Sequence, residues 1–166
     1  MKKLAILFAI LISISAQAQQ VVKSIELDSM IFNEINIYRA SLGVAKVKTF
    51  DIGELRKVSY VITELNAGRE FFDHTRDTAK LHKGYNSECI NSFEMRSASN
   101  PLTDDVLTRA ELLTLAKITV QAWIDSNNHN YLIRSKSVSK STITSVIIIK
   151  DRSIKLVVSY HDILFN

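Results

Sequence analysis

The sequence predicts an α+β layer fold, because its periodic segments come as helices first and strands last. Three observations carry this. Ile31, Ile35, Tyr38 and Leu42 recur at steps of four, three and four. Val106, Leu113, Ala116, Val120 and Trp123 recur at heptad-like steps. Val146-Ile147-Ile148-Ile149 forms an unbroken apolar run inside Thr142 to Lys150, and Ile154 to Tyr160 follows it after Asp151-Arg152-Ser153. The first two patterns return near 3.6 residues and mark helices. The third suits a strand buried on both faces and joined to its neighbour as an antiparallel hairpin.

The first helix follows a short lead. Asp28 or Ser29 is placed to cap it and Gly43 to end it. Asn36 and Arg39, three apart, form a polar pair on one side of it. The second helix starts near Asp51, which has capping-box spacing to Glu54. Leu55, Val58, Val61, Ile62 and Leu65 give its apolar face, and Gly68 stops it. Residues 69–102 lack a strong period and contain Gly84, Pro101, His74 and His82, with Ser87 to Phe93 readable as a short strand. Thr103 can cap the third helix, with Asp104 and Asp105 at its positive end. The polar stretch Ser126 to Asn130 breaks it.

The N-terminus reads as an export signal. Lys2 and Lys3 precede the apolar run Leu4 to Ile14, and Ala16-Gln17-Ala18 offers small residues for cleavage. The run is about 11 residues, too short for a membrane span of ~20. No cysteine follows it to take a lipid. The expected organisation is a signal peptide at 1–18, a short lead at 19–27 and a domain at 28–166, secreted or periplasmic, with no stable membrane anchor.

The net charge of +4 includes Lys2 and Lys3. Without them no dense basic stripe remains, so nucleic acid is not an expected partner. Lys46, Lys48, Lys136 and Lys140 read as solvated surface. Cys89 is the single cysteine, which excludes an internal disulfide. It reads as a buried inert thiol, with an intermolecular bridge or a reactive thiol as the alternative.

No phosphate-binding glycine loop, Gly-x-Ser-x-Gly elbow or His-Glu-x-x-His motif is present. The chemistry-bearing residues are scattered. His74 follows Phe71-Phe72-Asp73, Glu88 lies in Asn86-Ser87-Glu88-Cys89-Ile90, and His129 closes Trp123-x-x-Ser126-x-x-His129. Two neutral imidazoles and a carboxylate suit a divalent transition metal, zinc above all, with a fourth position for water. The same groups suit acid–base work. His82 and His161 read as ordinary surface or hydrogen-bonded histidines. Trp123, Phe71 and Phe72 read as packing residues.

The order Asn36-Ile37-Tyr38-Arg39, Phe72-Asp73-His74, Glu88, Trp123-Ile124-Asp125-Ser126-Asn127-Asn128-His129 and then a β-hairpin resembles the bacterial branch of the CAP superfamily, the SCP-like secreted proteins. The resemblance spans about residues 28 to 163. It implies a three-layer α-β-α sandwich with a small antiparallel sheet and a surface cleft that binds zinc in some members. By position, His74 matches the first cleft histidine, Glu88 the glutamate of a Gly-Glu-Asn motif and His129 the second histidine. Ser126 and Asn130 would support the cleft, while Asn36, Arg39 and Trp123 would be structural. The chain departs from the family at Ser87-Glu88-Cys89, at Ser126-Asn127-Asn128-His129, and at Ser126, where many members carry a second glutamate. The implied function is a secreted, non-enzymatic binding module whose His/Glu cleft holds a divalent metal or small apolar ligand, its extracellular partner unidentified. The alternatives are a metal-dependent hydrolase of envelope or extracellular polymers and a structural or inhibitory surface protein with a vestigial cleft.

Overall fold

The computed structural model describes residues 20–49, 54–69, 87–94, 107–150 and 153–165. The expected signal peptide, the Asp51 cap, His74, His82, Thr103 and Val106 lie outside them. The elements run β1 (Gln20–Lys23), α1 (Ile25–Ser41), β2 (Lys48–Thr49), α2 (Glu54–Asn66), β3 (Ser87–Glu94), α3 (Arg109–Asp125), α4 (Asn127–Arg134), β4 (Val138–Lys150) and β5 (Ser153–Phe165).

The fold is α+β. The sheet has the order β1-β4-β5-β3, all antiparallel, and the two-residue β2 adds a parallel pairing to β4. β1 and β2 share one edge of β4. β1 pairs along Val146–Ile149 and β2 at Lys140 and Ser141. The hairpin of β4 and β5 is the centre of the sheet, and every residue from Ser141 to Ile149 is buried. That is the physical reason for the Val-Ile run, since both faces of these strands are covered and alternation would leave polar groups inside.

Two apolar layers cover the sheet. On one side Ile143, Ile147, Ile149, Val157 and Ile163 pack with Leu27, Ile31 and Ile35 of α1, Leu112, Leu115, Ala116, Val120 and Trp123 of α3, and Ile133 of α4. On the other side Val146, Ile148, Val158 and Tyr160 pack with Val61 of α2. Strand residues alternate between these layers as the pleat requires, giving three layers, helix–sheet–helix.

Several local features differ from expectation. Residues 20–27, expected as a lead, belong to the fold. Gln20–Lys23 is a strand, and α1 starts at Ile25 with Ser24 as its cap, the Ser24 side chain accepting from the Leu27 amide at 3.3 Å. Asp28 sits one turn inside the helix. Its Oδ1 accepts from the Ser145 amide at 2.5 Å, where β4 has no strand partner between β1 and β2. Leu42 is exposed, because the chain turns at Gly43. Both helices with a predicted glycine stop end as Schellman turns. Gly43 and Gly68 have φ of 67° and 65°, Val44 donates to the Arg39 carbonyl, and Arg69 donates to the Glu64 carbonyl.

The third helix is capped by Thr108 in a reciprocal box with Glu111. Its buried stripe is Leu112, Leu115, Ala116, Thr119, Val120 and Trp123, so Leu113 faces outward. The polar stretch breaks the third helix at Ser126, as expected, but Asn127 to Asn130 then open a further helix. Ser126 ends α3 and begins α4 directly, because Asn130 returns to hydrogen-bond the Ile124 carbonyl at 2.8 Å and Ile133 reaches the core.

Candidate functional site

Asn36 and Arg39 hold backbone. Asn36 accepts from the Val47 amide at 2.9 Å and donates to the Val47 carbonyl at 3.5 Å, as a neighbouring strand would. Arg39 is 1% exposed. Its guanidinium donates to the carbonyls of Ala45 at 2.8 Å, Ser135 at 3.0 Å, Val138 at 3.4 Å and Ile133. Burial holds the Arg39 pKa below its usual value, and the four carbonyls satisfy the fork in place of water. One side chain thus fixes the loop after α1, the end of α4 and the start of β4.

The polar residues of α4 tie helices together. The Tyr38 hydroxyl donates to Asn130 Oδ1 at 2.9 Å, and Asn130 Nδ2 donates to Ile124. Ser126 makes no side-chain cap bond to α4. His129 is half-buried and lies near enough to His161 to disfavour a positive charge there.

Glu88 and His129 lie on opposite sides of the sheet. In β3, Cys89 points into the layer of α1, α3 and α4, while Ile90 packs in the layer of α2. Glu88 shares the face of Ile90, by the period of two. His74 is outside the described residues. Among the described residues no group of three or more His, Cys, Asp or Glu side chains is arranged to hold a metal ion.

Glu88 instead joins a polar row on the α2 side. It is directly opposite Asp162 of β5, and Asp162 is directly opposite Thr142 of β4. Ile90, Tyr160 and Thr144 form the next row. Asp162, Thr142, Tyr160 and Thr144 are all buried. Burial pushes the Tyr160 phenol well above its usual pKa, with Glu88, Tyr60 and Asp162 adding to the effect. The Tyr60 hydroxyl and Thr144 Oγ1 are buried with no hydrogen-bond partner among the described residues, the kind of polar atom a native fold rarely leaves unmet.

The sequence predicts a last strand that ends at Tyr160, which leaves Asp162 out. The signal for a longer strand is the continued alternation Tyr160, Asp162, Leu164 against His161, Ile163, Phe165. His161, expected at the surface or in an ordinary hydrogen bond, lies in the core at 1% exposure, with its ring centroid 5.6 Å from that of Trp123. Burial, with Arg39 and His129 nearby, pulls the His161 pKa down to about 3.

No family model matches the chain, and no curated protein matches it. The fold is similar to that of an outer surface protein from Borrelia burgdorferi, with a TM-score of 0.56 and 12% identity over 90% of this chain and 100% of that one. That likeness is one of fold. No described helix is long and apolar enough to cross a membrane.

Proposed function

We propose that this chain is an exported, non-enzymatic binding module of the CAP type, and that its ligand site is the polar row on the α2 side of the sheet. The observation that carries the reading is the cross-strand carboxylate pair Glu88–Asp162, beside the hydroxyls of Tyr60 and Thr144, which are unmet among the described residues. Export rests on the N-terminal Lys-apolar-Ala-x-Ala pattern and agrees with a fold shared with an outer surface protein.

Carboxylate and hydroxyl oxygens suit a divalent cation in charge and donor type. Glu88 and Asp162 would hold it; of the three cleft residues that the family resemblance implies, His129 lies across the sheet, while His74, which the resemblance sets beside Glu88, would add an imidazole and bring zinc within reach. Glu88 and Asp162 would supply the oxygen donors, and an ion there would offset the repulsion of two carboxylates set directly opposite each other.

Zinc titration by calorimetry tests this. The wild type is expected to bind about one zinc per chain, and Glu88→Gln with Asp162→Asn to abolish the heat while circular dichroism stays unchanged. Binding that survives the double substitution, or no binding by the wild type, overturns the proposed ion.

A further inference from the structure

The other face of the same strands holds a second, unlike pair. Cys89 of β3 and His161 of β5 are directly opposite each other. Residues so placed have Cβ atoms about 4.5–5.5 Å apart. Both face the layer of α1, α3 and α4, at 0% and 1% exposure. Among the described residues neither His161 nitrogen has a hydrogen-bond partner, and the buried Trp123 Nε1 beside it has none either. A core histidine normally satisfies at least one nitrogen, so a fully buried imidazole with both unmet calls for a missing partner such as an ion.

We propose that Cys89 and His161 form a two-coordinate site for a soft monovalent cation, copper(I). Donor type points there first, because a thiolate selects soft ions and an imidazole accepts copper. Coordination number points the same way. No third His, Cys, Asp or Glu completes a cluster among the described residues, whereas zinc takes four ligands with at least three from protein. Charge decides the rest. Glu88 and Asp162 flank the pair in sequence but project to the opposite face, and Arg39 lies near His161. A thiolate with copper(I) is neutral overall, while a divalent ion would leave net positive charge buried beside a guanidinium.

On binding, the Sγ–H bond of Cys89 breaks, its proton leaves to solvent, and Sγ and one His161 nitrogen each donate a lone pair to the copper. No electron is transferred, so the copper enters as copper(I). Burial, with Glu88 and Asp162 nearby, pushes the Cys89 thiol up, and metal binding releases its proton.

Anaerobic competition against a chromophoric copper(I) chelator tests the site on the purified protein. The wild type is expected to retain one copper per chain, and Cys89→Ser and His161→Gln to retain none. Glu88→Gln removes a charge that holds the Cys89 proton in place and is expected to bind copper(I) at least as tightly as the wild type, whereas it weakens the site proposed on the α2 side. Silver(I), a redox-inert substitute, should shift the His161 ring resonances of the wild type, a readout that stands even where a core variant fails to fold. Absence of copper from the wild type, retention by Cys89→Ser, or unmoved His161 resonances with silver would overturn the assignment.

Discussion

Arg39 shows how much a single side chain organises here. Its four carbonyl partners belong to three separate segments, so shortening it leaves several buried acceptors unmet at once. Arg39→Met is expected to destabilise the fold by about 3 kcal/mol or more, read as a lower urea midpoint. An unchanged midpoint would show that water replaces the guanidinium at no cost. The Asn36/Arg39 pair was legible as two polar residues on one helix face. Its partners were not, because they are main-chain groups up to 99 residues away, and backbone carbonyls carry no sequence signal. The polar row was half legible. Glu88 stood out as a carboxylate in a candidate strand, while Asp162 depends on a cross-strand register that sequence alone does not set.

His161 gives the fold a pH dependence. Its pKa is depressed from 6.5 to about 3, so the neutral ring is the folded form and the unfolded chain takes up the proton first. Stability contributed by the neutral ring is therefore full above about pH 6.5 and declines as pH falls toward 3. The slope is up to about 1.4 kcal/mol per pH unit. Urea denaturation of the metal-free protein at a series of pH values across that window should show this decline, and His161→Phe should flatten it. Equal slopes for the two proteins would count against a neutral buried ring.

Among elements, the ends of helices govern where each begins and stops. Thr108→Ala removes the side-chain acceptor of the Glu111 amide and is expected to cost about 1 kcal/mol of stability, measurable by thermal or urea unfolding. No loss would place the start of α3 elsewhere. The sequence predicts the cap of this helix at Thr103, before Asp104-Asp105, and Thr108 takes that place because Glu111 completes its box. The glycine stops at Gly43 and Gly68 were legible because a positive φ is a local requirement. α4 was not, since an eight-residue helix of Asn-Asn-His-Asn character has little propensity of its own and is held by Asn130, Arg39 and the burial of Ile133. β1 carries no sequence signal for a related reason. Four residues carry too few alternations to signal a strand, and what makes Gln20–Lys23 one is the open edge of β4.

At the scale of the whole molecule, the sheet acts as a divider. One side contains the Arg39 network, Trp123, His161 and Cys89, and the helix α4 that carries His129. The α2 side contains Glu88, Asp162, Thr142 and Tyr160. The α+β class was legible from the order of periodic segments, and the layering followed once the strands were seen to be apolar on both faces. What linear order could not reveal is that Glu88 and His129 face opposite ways, because one residue of strand register decides the face.

That division supplies the most direct test of the proposed site on the α2 side. Zinc affinity should be measured for His74→Ala and His129→Ala side by side with the wild type. His74→Ala is expected to lose zinc binding and His129→Ala to keep the wild-type affinity. Loss in His129→Ala with retention in His74→Ala would contradict this and move the cation site to the side of the sheet that holds α1, α3 and α4.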